Sequence, residues 1–68
     1  MATIYEKLGN RIRELRKKVG LSQEELAEKA KLDLTSISEI ESGLRNPSLK
    51  TIHKISLALK APLKDLLV

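Results

Sequence analysis

Between Ser22 and Gly43 the chain reads SQEELAEKAKLDLTSISEIESG. Apolar residues fall there at Leu26, Ala27, Ala30, Leu32, Ile37 and Ile40, spaced as one face of an α-helix requires. The pattern predicts two short amphipathic helices joined by a tight turn, the second closed by Gly43. Ser22 and Glu25 form an S-x-x-E capping box for the first of this pair. Asp33 supplies a cap for the second.

The flanking segments follow the same period. A first helix is predicted from Ile4 to Lys18, with Ile4, Leu8, Ile12, Leu15 and Val19 on its buried stripe and Gly20 ending it in a left-handed conformation. Leu44 to Pro47 reads as a turn, because a proline disfavours helix in the residue before it. Ser48 caps a fourth helix that buries Leu49, Ile52, Ile55, Ser56 and Leu59. Pro62 opens a short fifth helix carrying Leu63, Leu66 and Leu67. The expectation is an all-α, compact five-helix bundle forming one domain over residues 1–68. A chain of 68 residues is near the lower size at which a core holds itself together, and it has no cysteine for a disulfide or a thiolate metal site.

Turning the apolar stripe of the helix pair inward leaves Leu34, Thr35, Ser36, Ser38 and Glu39 with little to bury against. Lys and Arg outnumber Asp and Glu by 13 to 9, and the pI is about 9.6. A small basic domain that keeps one helix face free suits the major groove of DNA, which makes the pair a helix-turn-helix and double-stranded DNA its expected partner. Leu34 suits a thymine methyl, Thr35 and Ser36 base edges, and Glu39 a cytosine amino group. Around them, Arg13 and Lys17 of the basic first helix, Gln23 in the first turn of the second, Ser38, Arg45 and Asn46 are the candidates for the phosphate backbone, with Lys50 beside them. Arg45 is also the best placed residue for a bidentate contact to guanine, since the reading helix has no Arg or Lys of its own. Glu39 is either a specificity element or is held by a neighbouring arginine.

Three stretches together carry a resemblance: Leu21-Ser-Gln-x-Glu-Leu-Ala, Ser36-Ile-x-x-Ile-Glu-x-Gly43 and Asn46-Pro-Ser-Leu-x-Thr-Ile52. They resemble the phage-repressor, Cro-like helix-turn-helix family (the XRE family), whose small members include restriction–modification controller proteins. The resemblance spans about Leu8 to Leu67. It implies a lambda-repressor-like five-helix fold, the third helix in the major groove, and a two-fold dimer acting as a transcriptional regulator on a roughly palindromic operator. By match to the motif, Gln23, Leu34, Thr35, Ser36 and Glu39 fall on DNA-facing positions, and Arg16 and Glu41 on a pair tying the first helix to the third. Two departures stand out: Lys31 occupies a turn position where the family often has glycine, and Lys60 does so after the fourth helix.

Other function classes are disfavoured. The sole histidine, His53, is expected on the outer side of the fourth helix, and the carboxylates are scattered, so neither a catalytic site nor a metal site is expected. No cofactor, small-molecule ligand or membrane partner is implied, and the expected location is cytoplasmic, at the nucleoid. The rival is a protein-interaction or antitoxin-type module of the same fold with little sequence-specific DNA reading. Leu57 lies off the buried stripe of its helix, and the chain ends in Leu66-Leu67-Val68. Leu57, Leu63 and Leu67 are therefore the expected homodimer contact, although Leu63 and Leu67 are equally able to complete a monomer core.

Overall fold

The computed structural model describes residues 2–67, and these form four α-helices followed by one turn of 3-10 helix. Helix α1 spans Ile4–Lys18, α2 Gln23–Ala30, α3 Leu34–Glu41 and α4 Leu49–Leu59; the 3-10 turn is Leu63–Asp65. Helix α1 packs on α3, α3 on α2, and α2 on α4.

Each of the four α-helices starts on a side-chain cap. The Ser22–Glu25 box is reciprocal, with Glu25 N–H donating to Ser22 Oγ at 3.0 Å and Ser22 N–H to Glu25 Oε1 at 2.8 Å. Asp33 and Ser48 cap α3 and α4 as their sequence positions predict. Thr3 and Glu6 form a second capping box on α1. Every helix end has one common geometry. The N–H groups of Gly20, Lys31, Gly43 and Lys60 turn back onto the carbonyls three residues earlier. The N–H groups of Leu21, Leu32, Leu44 and Ala61 reach the carbonyls five residues earlier. Such an end needs a positive φ at its first position, where glycine is free of strain. Lys31 and Lys60 adopt it at φ 58° and 55°, so the two departures from the family pattern leave the turns intact at some conformational cost.

The core draws on every helix: Leu8 and Ile12; Leu26, Ala27 and Ala30; Ile37 and Ile40; Ile52, Ile55 and Leu59. Ile4, Val19 and Leu49 do not join it, contrary to the helical stripes they continue. Each sits at the end of its helix or just past it, beyond the crossing neighbour that covers the central turns.

The predicted fifth helix is replaced by the 3-10 turn. Pro62 is the residue before the turn, extended at ψ 148°, rather than part of a first helical turn. Initiating a helix is costly unless many residues follow to repay it. Here two tertiary contacts fix the segment instead. Leu66 inserts fully into the core, and the Asp65 carbonyl accepts from Arg11 Nε at 2.7 Å. Leu63 packs against the core and Leu67 is exposed, so the two do not share a helix face.

Gly9, buried on α1, is where α3 comes closest. A Cβ at this position would run into the carbonyl oxygens of Ile40 and Glu41. Alanine favours helix over glycine by up to about 1 kcal/mol. Gly9→Ala is nevertheless expected to destabilise by about 1–3 kcal/mol, because the obstructing atoms are backbone and cannot rotate away. Thermal unfolding followed by circular dichroism checks the sign: a melting temperature at or above wild type would mean that α1 and α3 are not in contact here.

Candidate nucleic-acid interface

Helix α3 is held in place by its last residue. Glu41 is buried, yet it is ionisable, and its carboxylate is surrounded by donors from two other elements. Arg16 of α1 donates from Nε to Oε2 at 2.7 Å and from Nη2 to Oε1 at 3.1 Å. Gln23 of α2 donates from Nε2 to Oε1 at 3.0 Å. Arg13 approaches the same oxygen at 3.5 Å and donates to the Glu41 carbonyl at 3.3 Å. Arg16 Nη1 also donates to the Leu21 carbonyl at 2.8 Å, drawing in the connection before α2. Burial alone would favour the neutral acid, but the hydrogen bonds from Arg16, Gln23 and Arg13 and the Arg16 charge outweigh it. The net effect holds Glu41 below the ordinary carboxylate range. The pair implied by the family match is thus part of a cluster that joins three helices.

The same cluster engages two of the expected phosphate contacts. Gln23 has one amide hydrogen turned to Glu41, leaving the other, beside the N–H groups of Gln23 and Glu24 that the Ser22 cap does not engage. Arg13 is partly committed to Glu41 but still exposes a large part of its side chain. Lys17, Asn46 and Lys50 are exposed and Ser38 is half-buried.

On the outer face of α3, Leu34 and Thr35 are exposed and Glu39 is half-buried. Ser36 differs from the expectation of a free base reader. It is buried at 7% exposure, and its hydroxyl is doubly engaged. It donates to Asp33 Oδ1 at 2.7 Å and accepts from Arg45 Nη1 at 2.7 Å. The cause is position: three residues beyond the cap, Ser36 faces back onto Asp33, whose other oxygen accepts the Ser36 N–H at 3.0 Å. These bonds hold the Asp33 carboxyl below its ordinary range. Arg45 in turn donates from Nη2 to Glu39 Oε1 at 2.6 Å. Glu39 is therefore held by a neighbouring arginine, one of the two alternatives its position left open.

Sequence reasoning did not find Gly9, the Thr3 cap or the Arg11–Asp65 contact. Thr3-x-x-Glu6 repeats the capping-box signature and was open to detection. The Arg11 contact joins residues 54 apart and leaves no local signal. His53 lies on the exposed side of α4, and among the described residues no group of acidic or imidazole side chains is arranged to hold a metal. No helix among them is long and apolar enough to cross a membrane.

Removing the Glu41 carboxylate strands Arg16 against the protein interior. Glu41→Ala is expected to cost about 3–5 kcal/mol, a large share of the stability of a small domain. A depressed folded pKa also dictates the pH response. The ionised Glu41 contributes fully above the unfolded glutamate value of about 4.3, and that contribution is lost as pH falls through the lower folded value. Acid titrations of wild type and Glu41→Gln should therefore converge at low pH. Parallel curves throughout would mean that Glu41 does not couple to folding.

The arrangement of α2 and α3 has counterparts among known proteins. A helix-turn-helix family model matches residues 12–66. The chain is similar to the control protein C.BamHI of Bacillus amyloliquefaciens, with 50% identity over 60 residues, 87% of this chain and 74% of the relative. It is also similar to C.MunI of a Mycoplasma species, with 45% identity over 67 residues, 97% of this chain and 90% of that protein. Among solved structures, the restriction–modification controller protein C.AhdI of Aeromonas hydrophila superposes with a TM-score of 0.90 at 44% identity, covering 91% of this chain and 94% of its own. A capped helix pair, an α3 locked at its C-terminal end and a match over most of the chain converge on one assignment: the chain belongs to the XRE-type helix-turn-helix family of transcriptional regulators, with controller proteins among its relatives.

Proposed function

We propose that this protein is a sequence-specific regulator of transcription that binds a roughly palindromic double-stranded DNA operator as a homodimer. The observation that carries the reading is the exposed outer face of α3, with Leu34 and Thr35 uncovered, on a helix held from behind by Glu41. A rigid helix with a free face, bordered by cations, is what the major groove admits. Leu34 would touch a thymine methyl and Thr35 a base edge, with Ser38 beside the backbone. Lys17, Arg13, Asn46 and the N-terminal turn of α2 would take the phosphates, which set affinity and register rather than sequence. Names such as control protein among the relatives support a regulatory role of this kind.

One such domain covers about half a helical turn of DNA. Two related by a two-fold axis would place their α3 helices in half-sites roughly 34 Å apart. Leu57, at 65% exposure on α4, and Leu67, at 54%, are the apolar residues proposed for the contact between copies. Leu63 is half-buried against the core and would offer less of its surface to such a contact. A modest interface suits the role, since occupancy of the operator then rises steeply with protein concentration.

Two experiments test this reading. Affinity for the selected operator should fall steeply with salt, and Lys17→Ala should flatten the slope by about one unit while leaving base preference unchanged. Thr35→Ala should instead alter the preferred bases, at about 1–3 kcal/mol of discrimination. Failure of the wild type to enrich any sequence from random duplexes would favour the protein-interaction alternative. Leu57→Glu should retain helicity and dissociate the dimer in sedimentation. An unchanged dimer would move the interface elsewhere, and a monomeric wild type at high concentration would exclude it.

A further inference from the structure

Arg45 is the residue that α3 itself lacks, and its position is set by three others. The chain reverses at Gly43, at φ 76°, and Leu44 N–H bonds back to the Glu39 carbonyl at 2.9 Å. That reversal returns Arg45 over the outer face of α3, where both ends of its guanidinium are held. Nη2 donates to Glu39 Oε1 at 2.6 Å and Nη1 to Ser36 Oγ at 2.7 Å. A serine hydroxyl has one proton, and that of Ser36 is spent on Asp33 Oδ1. Its oxygen can therefore only accept towards Arg45. Donation thus runs outward from Arg45, through Ser36 to Asp33 on one side and directly to Glu39 on the other.

The ion pair stays in contact with solvent, Arg45 at 45% and Glu39 at 39% side-chain exposure. Two of the five guanidinium N–H groups are engaged in these bonds, which leaves three for a ligand. Glu39 uses Oε1, which leaves Oε2 as an acceptor. Donors and an acceptor thus lie side by side on one fixed edge. The pair carries no net charge, and its carboxylate repels phosphate. It is poorly suited to gripping the backbone and well suited to a ligand that offers acceptors next to a donor. In the major groove a G·C pair does so: guanine presents O6 and N7, and cytosine its N4 amino group.

We propose that Glu39 and Arg45 act as one composite reader of G·C, Arg45 donating to guanine and Glu39 accepting from the cytosine of the same or the adjacent pair, with Asp33 and Ser36 as positioning residues. The proposal rests on operator reading by α3 and assigns Arg45 to base recognition rather than to phosphate. Neither side chain reads independently, because removing either takes from the other one of the contacts that orient it.

The test measures binding of the full chain to its selected operator and to versions substituted at each base pair, for wild type, Glu39→Gln, Arg45→Ala, the double variant and Ser36→Ala. Wild type should prefer G·C at one position, or two adjacent ones, of each half-site by about 5- to 150-fold. Each single variant should lose that preference at the same place, and the double variant should lose no more than the larger single loss. Ser36→Ala, which keeps both readers, should weaken discrimination there several-fold and leave the other positions unchanged. Losses at separate positions, or a double loss equal to the product of the single losses, would overturn the composite reader while leaving operator reading by α3 intact. Intact base preference in Arg45→Ala together with a flatter salt slope would make Arg45 a phosphate contact. A wild type that selects no sequence would overturn operator reading and this proposal together.

Discussion

The charge on Glu41 is the constraint on which the rest depends. A carboxylate withdrawn from water is tolerable only where donors replace the lost hydration, and here they come from Arg16, Gln23 and Arg13. Because those donors belong to α1 and α2, satisfying one oxygen pair fixes the C-terminal end of α3 relative to both. Gly9 allows it. Without a side chain there, α1 lies against the carbonyls of Ile40 and Glu41, close enough for Arg16 to reach. Hydrophobic burial of Ile37 and Ile40 holds α3 in the core, and the charge cluster determines how it is oriented.

That division of labour leaves the other face of α3 free. Its N-terminal turn is stabilised from within by Asp33 and Ser36, so no covering element is needed there. At the other end the turn through Gly43 brings Arg45 back beside Glu39. In the turns after α1, α2 and α4 the second residue of the reversal, Leu21, Leu32 or Ala61, rests on the core. After α3 the equivalent residue, Leu44, is exposed at 79%. The turn after α3 is thus the one whose apolar residue is not tucked under, and it is the turn that carries Arg45.

Helix ends were the readable part of this chain, because a cap is a local event. Ser22, Asp33 and Ser48 act on N–H groups three residues ahead, and Gly20 and Gly43 on carbonyls a few residues behind, so a short window of sequence holds the whole interaction. The free face of α3 was readable for a related reason: once Ile37 and Ile40 face inward, helical geometry leaves Leu34 and Thr35 outside. Periodicity misled where a stripe ran past its cover, at Ile4, Val19 and Leu49. It misled again at the C-terminal end, where Leu63, Leu66 and Leu67 suggested a helix but Leu66 alone occupies the core.

The sequence by itself determined helices α1 to α4, the caps of the last three, the inward and outward faces of the helix pair, and the membership of the family through motifs spread along the chain. Only the tertiary structure decided which polar residues are free and which are spent. Ser36 has the same hydroxyl as Ser38, but the turn after α3 brings Arg45 back to engage it. Gln23 and Arg13 resemble surface residues until Glu41 draws them in. Arg45 is one cation among many in the sequence, and the turn at Gly43 makes it half of an ion pair. The physical reason is range. Capping and amphipathicity act over one helical turn, whereas the satisfaction of a buried charge is settled between residues 18 to 28 positions apart, by contacts that exist only once the helices have packed.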